Sequence, residues 1–342
     1  SSDTERFALS QSAELTSTRM LSPIATPLVF NGFTQEIHNL WESALKLSGF
    51  LTAVGSAQAS PSRDQLSLQA GDAVGAALIR GDLTMAGTGT VTLVENNRVY
   101  AFGHPFYNLG PISFPMTKAS VTALLPSLAI SSKIAAIGDV IGTLDQDRST
   151  GIFGTLGAEP DVIPVTIRLR GSDRSFNDTF KFEVIRDNIL TPLLVYSGAL
   201  STFLSSSRQL GAATYTITSS TRVRGHDAVT FTDIYSGNTA VSNAAAAIAN
   251  PLSTLLNNSI ATVEITGLEI DATAIEEPLT AAIERIWIDT PRVHPGSIVK
   301  LHVLARSYRD IEMLETLTLS IPSSATGQIQ ILLSPFDGIL RE

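Results

Sequence analysis

The chain has no cysteine, so thiolate nucleophiles, disulfides and cysteine-based zinc sites drop out, and chemistry must come from other side chains. Five histidines remain: His38, His104, His226, His294 and His302. No pair has the i, i+4 spacing that puts two imidazoles on one helix face, and no HExxH occurs, so no metal site is expected. His294 and His302, eight residues apart, read as lone surface histidines on a turn and a strand. His38 sits at a polar position beside an apolar helical stripe and reads, like those two, as a lone surface histidine. His104 differs in its setting. In Tyr100-Ala-Phe-Gly-His-Pro-Phe it follows a β-type run and lies between Gly103 and Pro105. Glycine permits a positive φ or close backbone approach, and proline stiffens the chain that leaves. Such a rigid mount suits a general base, which must keep its geometry to a proton. It also suits a buried structural histidine, and both readings stand at this point.

A nucleophile is harder to find. A reactive serine is usually framed by glycines that expose its Oγ and supply oxyanion donors. The chain has no G-x-S-x-G and no G-x-S-G-x-P. Its Ser-Gly pairs, Ser48-Gly49, Ser197-Gly198 and Ser236-Gly237, lack the preceding glycine. Gly87-Thr-Gly89 precedes a strand instead of opening a helix, which removes the dinucleotide reading, and no P-loop is present. No cofactor is expected. Asp145-Gln-Asp147-Arg148-Ser149-Thr150-Gly151 gathers acids, a base and hydroxyls, and reads first as a tight polar turn with local side-chain-to-backbone bonds. Glu276-Glu277 reads as a solvated connection. The residues thus offer a base without a nucleophile.

The elements that must position these residues read as mainly β. The chain has 342 residues, is 44% apolar and only 16% charged, with a formal charge of −9. Mean hydropathy is +0.20 and the pI about 5.1. That composition excludes a disordered chain and a basic nucleic-acid binder. A surface rich in Ala, Ser and Thr points to an extracytoplasmic protein, periplasmic, cell-surface or secreted. No apolar run reaches the roughly 18–20 residues that span a bilayer. The polar start, without the features of a signal peptide, reads as a mature or processed chain.

Residues 1–22 read as a polar tail, and 23–65 as a helix (Thr34–Leu47) with a Gly/Ser/Pro linker from Gly55 to Asp64. Short β-type runs follow: Ala73–Arg80, Gly89–Val94, Arg98–Phe102, Ile137–Asp145, Ile163–Arg170 and Phe176–Ile185. Asn96-Asn97 makes a hairpin turn, and Lys118–Leu125 is the one helix-like interruption. This texture favours a barrel or sandwich over βαβ units. A helical pattern over 188–210, a strand pair around Gly225 and an Ala-rich helix over Val241–Leu256 complete 66–258. Alternating runs from Ala261 to Leu333 then predict a C-terminal all-β domain over 259–342, a small sandwich.

Two blocks resemble the SpoIVB peptidase family of serine peptidases, S55. The first is Gly89-Thr-Val-Thr…Arg98-Val-Tyr-Ala-Phe-Gly-His-Pro-Phe, similar to the family's histidine motif. The second is Ile141-Gly-Thr-Leu-Asp-Gln-Asp-Arg-Ser-Thr-Gly-Ile-Phe-Gly-Thr-Leu-Gly, similar to its "GT…GIFG" segment. Asn108-Leu-Gly-Pro…Pro115-Met-Thr-Lys-Ala-Ser and Ile24-Ala-Thr-Pro-Leu-Val-Phe-Asn-Gly-Phe look like the long bacterial branch seen in acidobacteria. The likeness spans roughly residues 22–342 and is loose in the last domain. It implies a trypsin-like β-barrel portion over 66–258 with His104 as the catalytic base. It also implies a serine in a G-M-S-G-S-P type segment, which this chain lacks and which in the long branch precedes the histidine. The family's acid lies shortly before that serine, so neither Asp145 nor Asp147 matches it.

Two functions follow as expectations. The chain is the histidine-bearing part of a serine endopeptidase acting on protein or peptide substrates. Its partner is an N-terminal serine-bearing segment of the same precursor, and the chain alone is inactive. Alternatively it is a non-catalytic secreted scaffold or assembly module on the same fold, with self-assembly as a partner mode.

Overall fold

The computed structural model describes residues 26–45, 50–55, 67–125, 132–172, 176–206, 212–290, 292–307 and 310–327. The tail expected over 1–22, nearly all of the Gly55–Asp64 linker and the strand expected at Gln328–Leu333 lie outside these residues. The chain divides into two compact units, one running to Glu276 and one beginning at Glu277. The fold is mainly β, as its composition and alternation predict.

In the first unit, β1 (Thr26–Asn31), α1 (Gln35–Leu45) and β2 (Phe50–Val54) lead into β3 (Ala73–Gly81), β4 (Thr84–Glu95) and β5 (Arg98–Ala101). Next come β6 (Gly110–Leu125), β7 (Ser132–Arg148), β8 (Gly151–Leu156), β9 (Val162–Gly171) and β10 (Asn177–Ile185). Then α2 (Leu190–Ser206), β11 (Ala213–Val223), β12 (Val229–Gly237), α3 (Ala240–Leu256) and β13 (Ile265–Ile275) complete the unit. All thirteen strands join one sheet, in the order β12-β11-β13-β9-β10-β3-β6-β7-β8-β5-β4-β1-β2. Because β3 also pairs with β4, the strands β3, β6, β7, β8, β5 and β4 close into a ring in which every neighbour is antiparallel. Closure removes the open edges that a flat sheet would expose. Residues Val74, Leu78, Met85, Val91, Val99, Phe114 and Leu144, from five of the six strands, are buried in the unit's main core.

The ring splits where its strands outlast their partners. Past Ala76, where β6 leaves it, β3 takes β10 at Ile79–Gly81. β4 pairs with β1 at Thr84–Gly87 and with β5 only from Val91. These forks feed the sheet extensions on which the helices pack. α2 is apolar all round and has Leu194, Val195, Ala199 and Phe203 fully buried, as a central core helix must. α3 packs on it and buries Ala244, Ala245, Ile248, Ala249 and Leu252. α1 buries Ile37, Trp41 and Leu45 on the spacing of its apolar stripe.

Two sequence expectations are corrected. Lys118–Leu125 is not a helix but the end of β6, a strand that pairs with β7 along its length with four register irregularities. The C-terminal domain does not begin at 259. β13 lies between β9 and β11, antiparallel to β11 and parallel to β9, so it belongs to the first unit. In the second unit, β14 (Ala281–Ile288), β15 (Ile298–Ser307) and β16 (Glu312–Ser320) form a single antiparallel three-stranded sheet in that order.

Candidate functional site

His104 stands on the loop that carries the chain from β5 to β6. That loop begins with Phe102 at φ 70° and Gly103 at φ 70°, and Asn108 follows at φ 58°. A bulky residue at positive φ is strained and persists only where its surroundings hold it. Here the hold is steric. The Phe102 and Phe106 rings are buried and meet edge to face, with centroids 5.9 Å apart. They lie over Gly89 and Gly87, where a Cβ would overlap the Phe102 and Phe106 rings respectively. Gly87-Thr-Gly89 is therefore a seat for two aromatic rings, a role that no local pattern announces.

The second hold is electrostatic. Asp147, at the end of β7, is fully buried. Its Oδ1 accepts the Phe106 N–H at 2.8 Å, and its Oδ2 accepts the Tyr107 N–H at 2.6 Å and the Leu109 N–H at 3.3 Å. Three backbone donors thus meet one buried negative charge, the condition under which a carboxylate can leave water. Burial first, and the Asp147 charge second, push the Tyr107 phenol well above its ordinary range. The local-turn reading of 145–151 is therefore wrong for Asp147, whose bonds span 38 to 41 residues. Nor does Asp145 make a local backbone bond: it accepts the Thr155 hydroxyl at 2.7 Å, side chain to side chain across the β7–β8 hairpin. Gly151, at φ 145°, closes the site from the third side. A side chain there would meet the Ala101 carbonyl at 3.0 Å, just ahead of the His104 loop. The two blocks that carry the S55 resemblance are thus joined in space and build one loop.

His104 itself is half-buried, with its ring 5.9 Å from that of Phe102, edge to face. Its Nδ1 lies 2.8 Å from the Pro105 carbonyl oxygen. A carbonyl only accepts, so in this bond Nδ1 carries the proton and the neutral ring offers its lone pair at Nε2. Among the described residues Nε2 has no hydrogen-bond partner. No family model, curated protein or solved structure matches the chain. The S55 likeness accordingly rests on the residues quoted above.

The other sequence candidates fall elsewhere. His38 is not the surface histidine its position suggests: both ring nitrogens are enclosed without a partner, and its ring packs edge-on to Phe30 at 5.7 Å. His302 is bonded on both nitrogens, by Asp289 at 2.9 Å and Thr316 at 3.0 Å. His226 and His294 are exposed in turns. Ser197 is fully buried, accepting from the Trp41 indole at 2.9 Å and donating to the Leu193 carbonyl. Ser236 pairs with the Thr214 hydroxyl, and Ser48 lies outside the described residues. Ser149 is exposed in the β7–β8 turn. Among the described residues no serine bonds to His104, and no group of three or more His, Asp or Glu is arranged to hold a metal. No helix among them is long and apolar enough to cross a membrane.

Proposed function

We propose that this chain is the histidine-bearing part of an S55-like serine endopeptidase. The observation that carries the reading is His104, whose Nδ1 is committed to a carbonyl and whose Nε2 is free, on a loop clamped by both motif blocks. In this reading a serine from an N-terminal segment, covalently upstream before processing or bound afterwards, sits within reach of Nε2. Nε2 takes the Oγ proton as the serine attacks a peptide carbonyl, then returns it to the leaving amine. Water hydrolyses the acyl-enzyme by the same route. The six-stranded antiparallel ring is the trypsin-like portion, and β14–β16 form one layer of a C-terminal sandwich. The setting is extracytoplasmic.

The test is active-site labelling. A fluorophosphonate should leave the isolated chain unmodified and label one serine upstream of Ser1 in the longer precursor, which should also cleave peptide. Activity should fall on acidification, because a protonated imidazole cannot accept the serine proton. Stoichiometric labelling of a serine within residues 1–342 would overturn the divided-site reading. The second reading is a scaffold on the same fold. It is favoured by the absence of any serine bonded to His104 among the described residues, and a precursor that neither labels nor cleaves would select it.

A further inference from the structure

Asp147 and His104 touch opposite ends of one peptide group. The Phe106 N–H donates to Asp147 Oδ1 at 2.8 Å, and the carbonyl of the same peptide, that of Pro105, accepts from His104 Nδ1 at 2.8 Å. The bond is trans, and in a trans amide the N–H and C=O point in opposite directions within one plane. Carboxylate, amide and imidazole therefore form a continuous hydrogen-bonded chain. From this geometry we infer that Asp147 is a positioning residue for His104, acting through the Pro105–Phe106 amide.

In a Ser-His-acid site the acid holds the imidazole in one tautomer and stabilises the imidazolium that forms, without taking the proton itself. The S55 resemblance leaves this chain without such an acid, and at His104 a carbonyl stands where it would be. That carbonyl is not an ordinary one. A carboxylate bonded to an amide N–H polarises the amide and makes its oxygen a stronger acceptor, most of all in a buried, low-dielectric setting. Asp147 is fully buried. The Tyr107 and Leu109 N–H groups pin its other oxygen, so the amide plane cannot swing. No proton crosses the amide. The acid's charge biases the ring toward Nδ1–H, keeps the lone pair at Nε2, and faces a protonated ring with the negative end of a polarised dipole. The inference rests on the reading of His104 as a base, and gives that base its missing third group at one peptide's remove.

A purely structural Asp147 would staple the loop and do nothing to the ring. The two are separated by nitrogen-15 NMR of the histidine-labelled chain at a pH where the ring is neutral. In the wild type, His104 should carry its proton on Nδ1 in about tenfold excess, the preference a net hydrogen bond of ordinary strength confers. It should also show a through-bond coupling from Nδ1 to the Pro105 carbonyl carbon. Asp147→Asn keeps the shape, removes the charge and cannot satisfy all three donors, so the excess should fall to about twofold or less. Leu144→Ala, also fully buried on β7, should lower the melting temperature and leave the tautomer unchanged. A wild-type ring protonated on Nε2, or without the coupling, overturns the inference even if Asp147→Asn does not fold. So does a folded Asp147→Asn that keeps the wild-type excess, or a Leu144→Ala that loses it. No serine is needed for any of these measurements. An inactive precursor would end the peptidase reading and leave the tautomer standing, and a scrambled tautomer would do the reverse.

Discussion

Two histidines of this chain are held firmly by opposite means. His302 lies on β15, opposite Trp287 of β14 and Thr316 of β16 in register. It stacks on the Trp287 ring at 5.2 Å and is bonded by side chains on both nitrogens. Regular strands brought these partners together through cross-strand pairing, and none of the backbone needed strain. His104 lies on an irregular loop with two consecutive residues at positive φ, held by a backbone carbonyl and, behind it, a buried acid. His302 has no nitrogen to spare and acts as a tie between strands. His104 keeps one nitrogen open. A free ring nitrogen on a strained, over-determined loop distinguishes an offered imidazole from a structural one better than exposure does.

The largest expected effect that would break this contrast concerns the acids behind the two rings. Asp147→Ala removes the shared acceptor of three N–H groups, one buried and two part-buried, and should cost about 3 kcal/mol of stability in the first unit. Asp289→Ala, whose carboxylate is 61% exposed, should cost well under about 1 kcal/mol. Equal losses in urea titrations would mean the two histidines are held alike. Next in size are the ring seats. Gly87→Ala drives a methyl into Phe106 and should cost about 1–3 kcal/mol, and Phe106→Leu in the same chain should recover part of it. A double-mutant cycle with no coupling would remove the seat from the account.

Smaller still is the acid response of the ion-pair ladder on β9, β11 and β13. Glu269 and Asp271 have their carboxyls held below the usual range, chiefly by hydrogen bonds from Arg168, with Arg222 also on Glu269. Depressed carboxylates stabilise the fold above their unfolded titration range, and that stability is lost as pH falls through the folded range. Melting temperature should therefore drop below about pH 4. The change should be modest and salt-sensitive because both groups face solvent, and Arg168→Gln should flatten it. An unchanged acid slope in that variant would show that the ladder is not the source. Finally, limited proteolysis should cut near Glu276–Glu277 and not at 250–259, since β13 is a central strand of the large sheet. First cuts at 250–259 would restore the earlier boundary.

What could be read in the sequence was local. Alternation located β3, β9 and β10, the apolar stripe located α1, and Asn96-Asn97 marked a turn in which Asn96 sits at φ 57°. Glycine and proline singled out the His104 mount. What could not be read was long-range pairing. The Lys118–Leu125 run suits either period, and pairing with β7 decides for strand. β13 joins β9 in a parallel pair across a hundred residues, which no window of alternation reveals. Asp147 looked like a turn residue because Asp beside Ser, Thr and Gly usually is one. Its true partners, the N–H groups of Phe106, Tyr107 and Leu109, lie outside any local window. Gly87 and Gly89 were legible only as glycines, since their purpose is the two rings above them.

The central claim, that one histidine is offered and the other is a tie, is tested most directly by turnover of the two alanine variants in the serine-containing precursor that the proposed function requires. His104→Ala should fold and lose activity by about a thousandfold or more, as expected when one member of a catalytic unit is removed. His302→Ala should stay within about twofold of the wild type while melting earlier, because it breaks only side-chain ties. A folded His104→Ala with full activity would contradict the account.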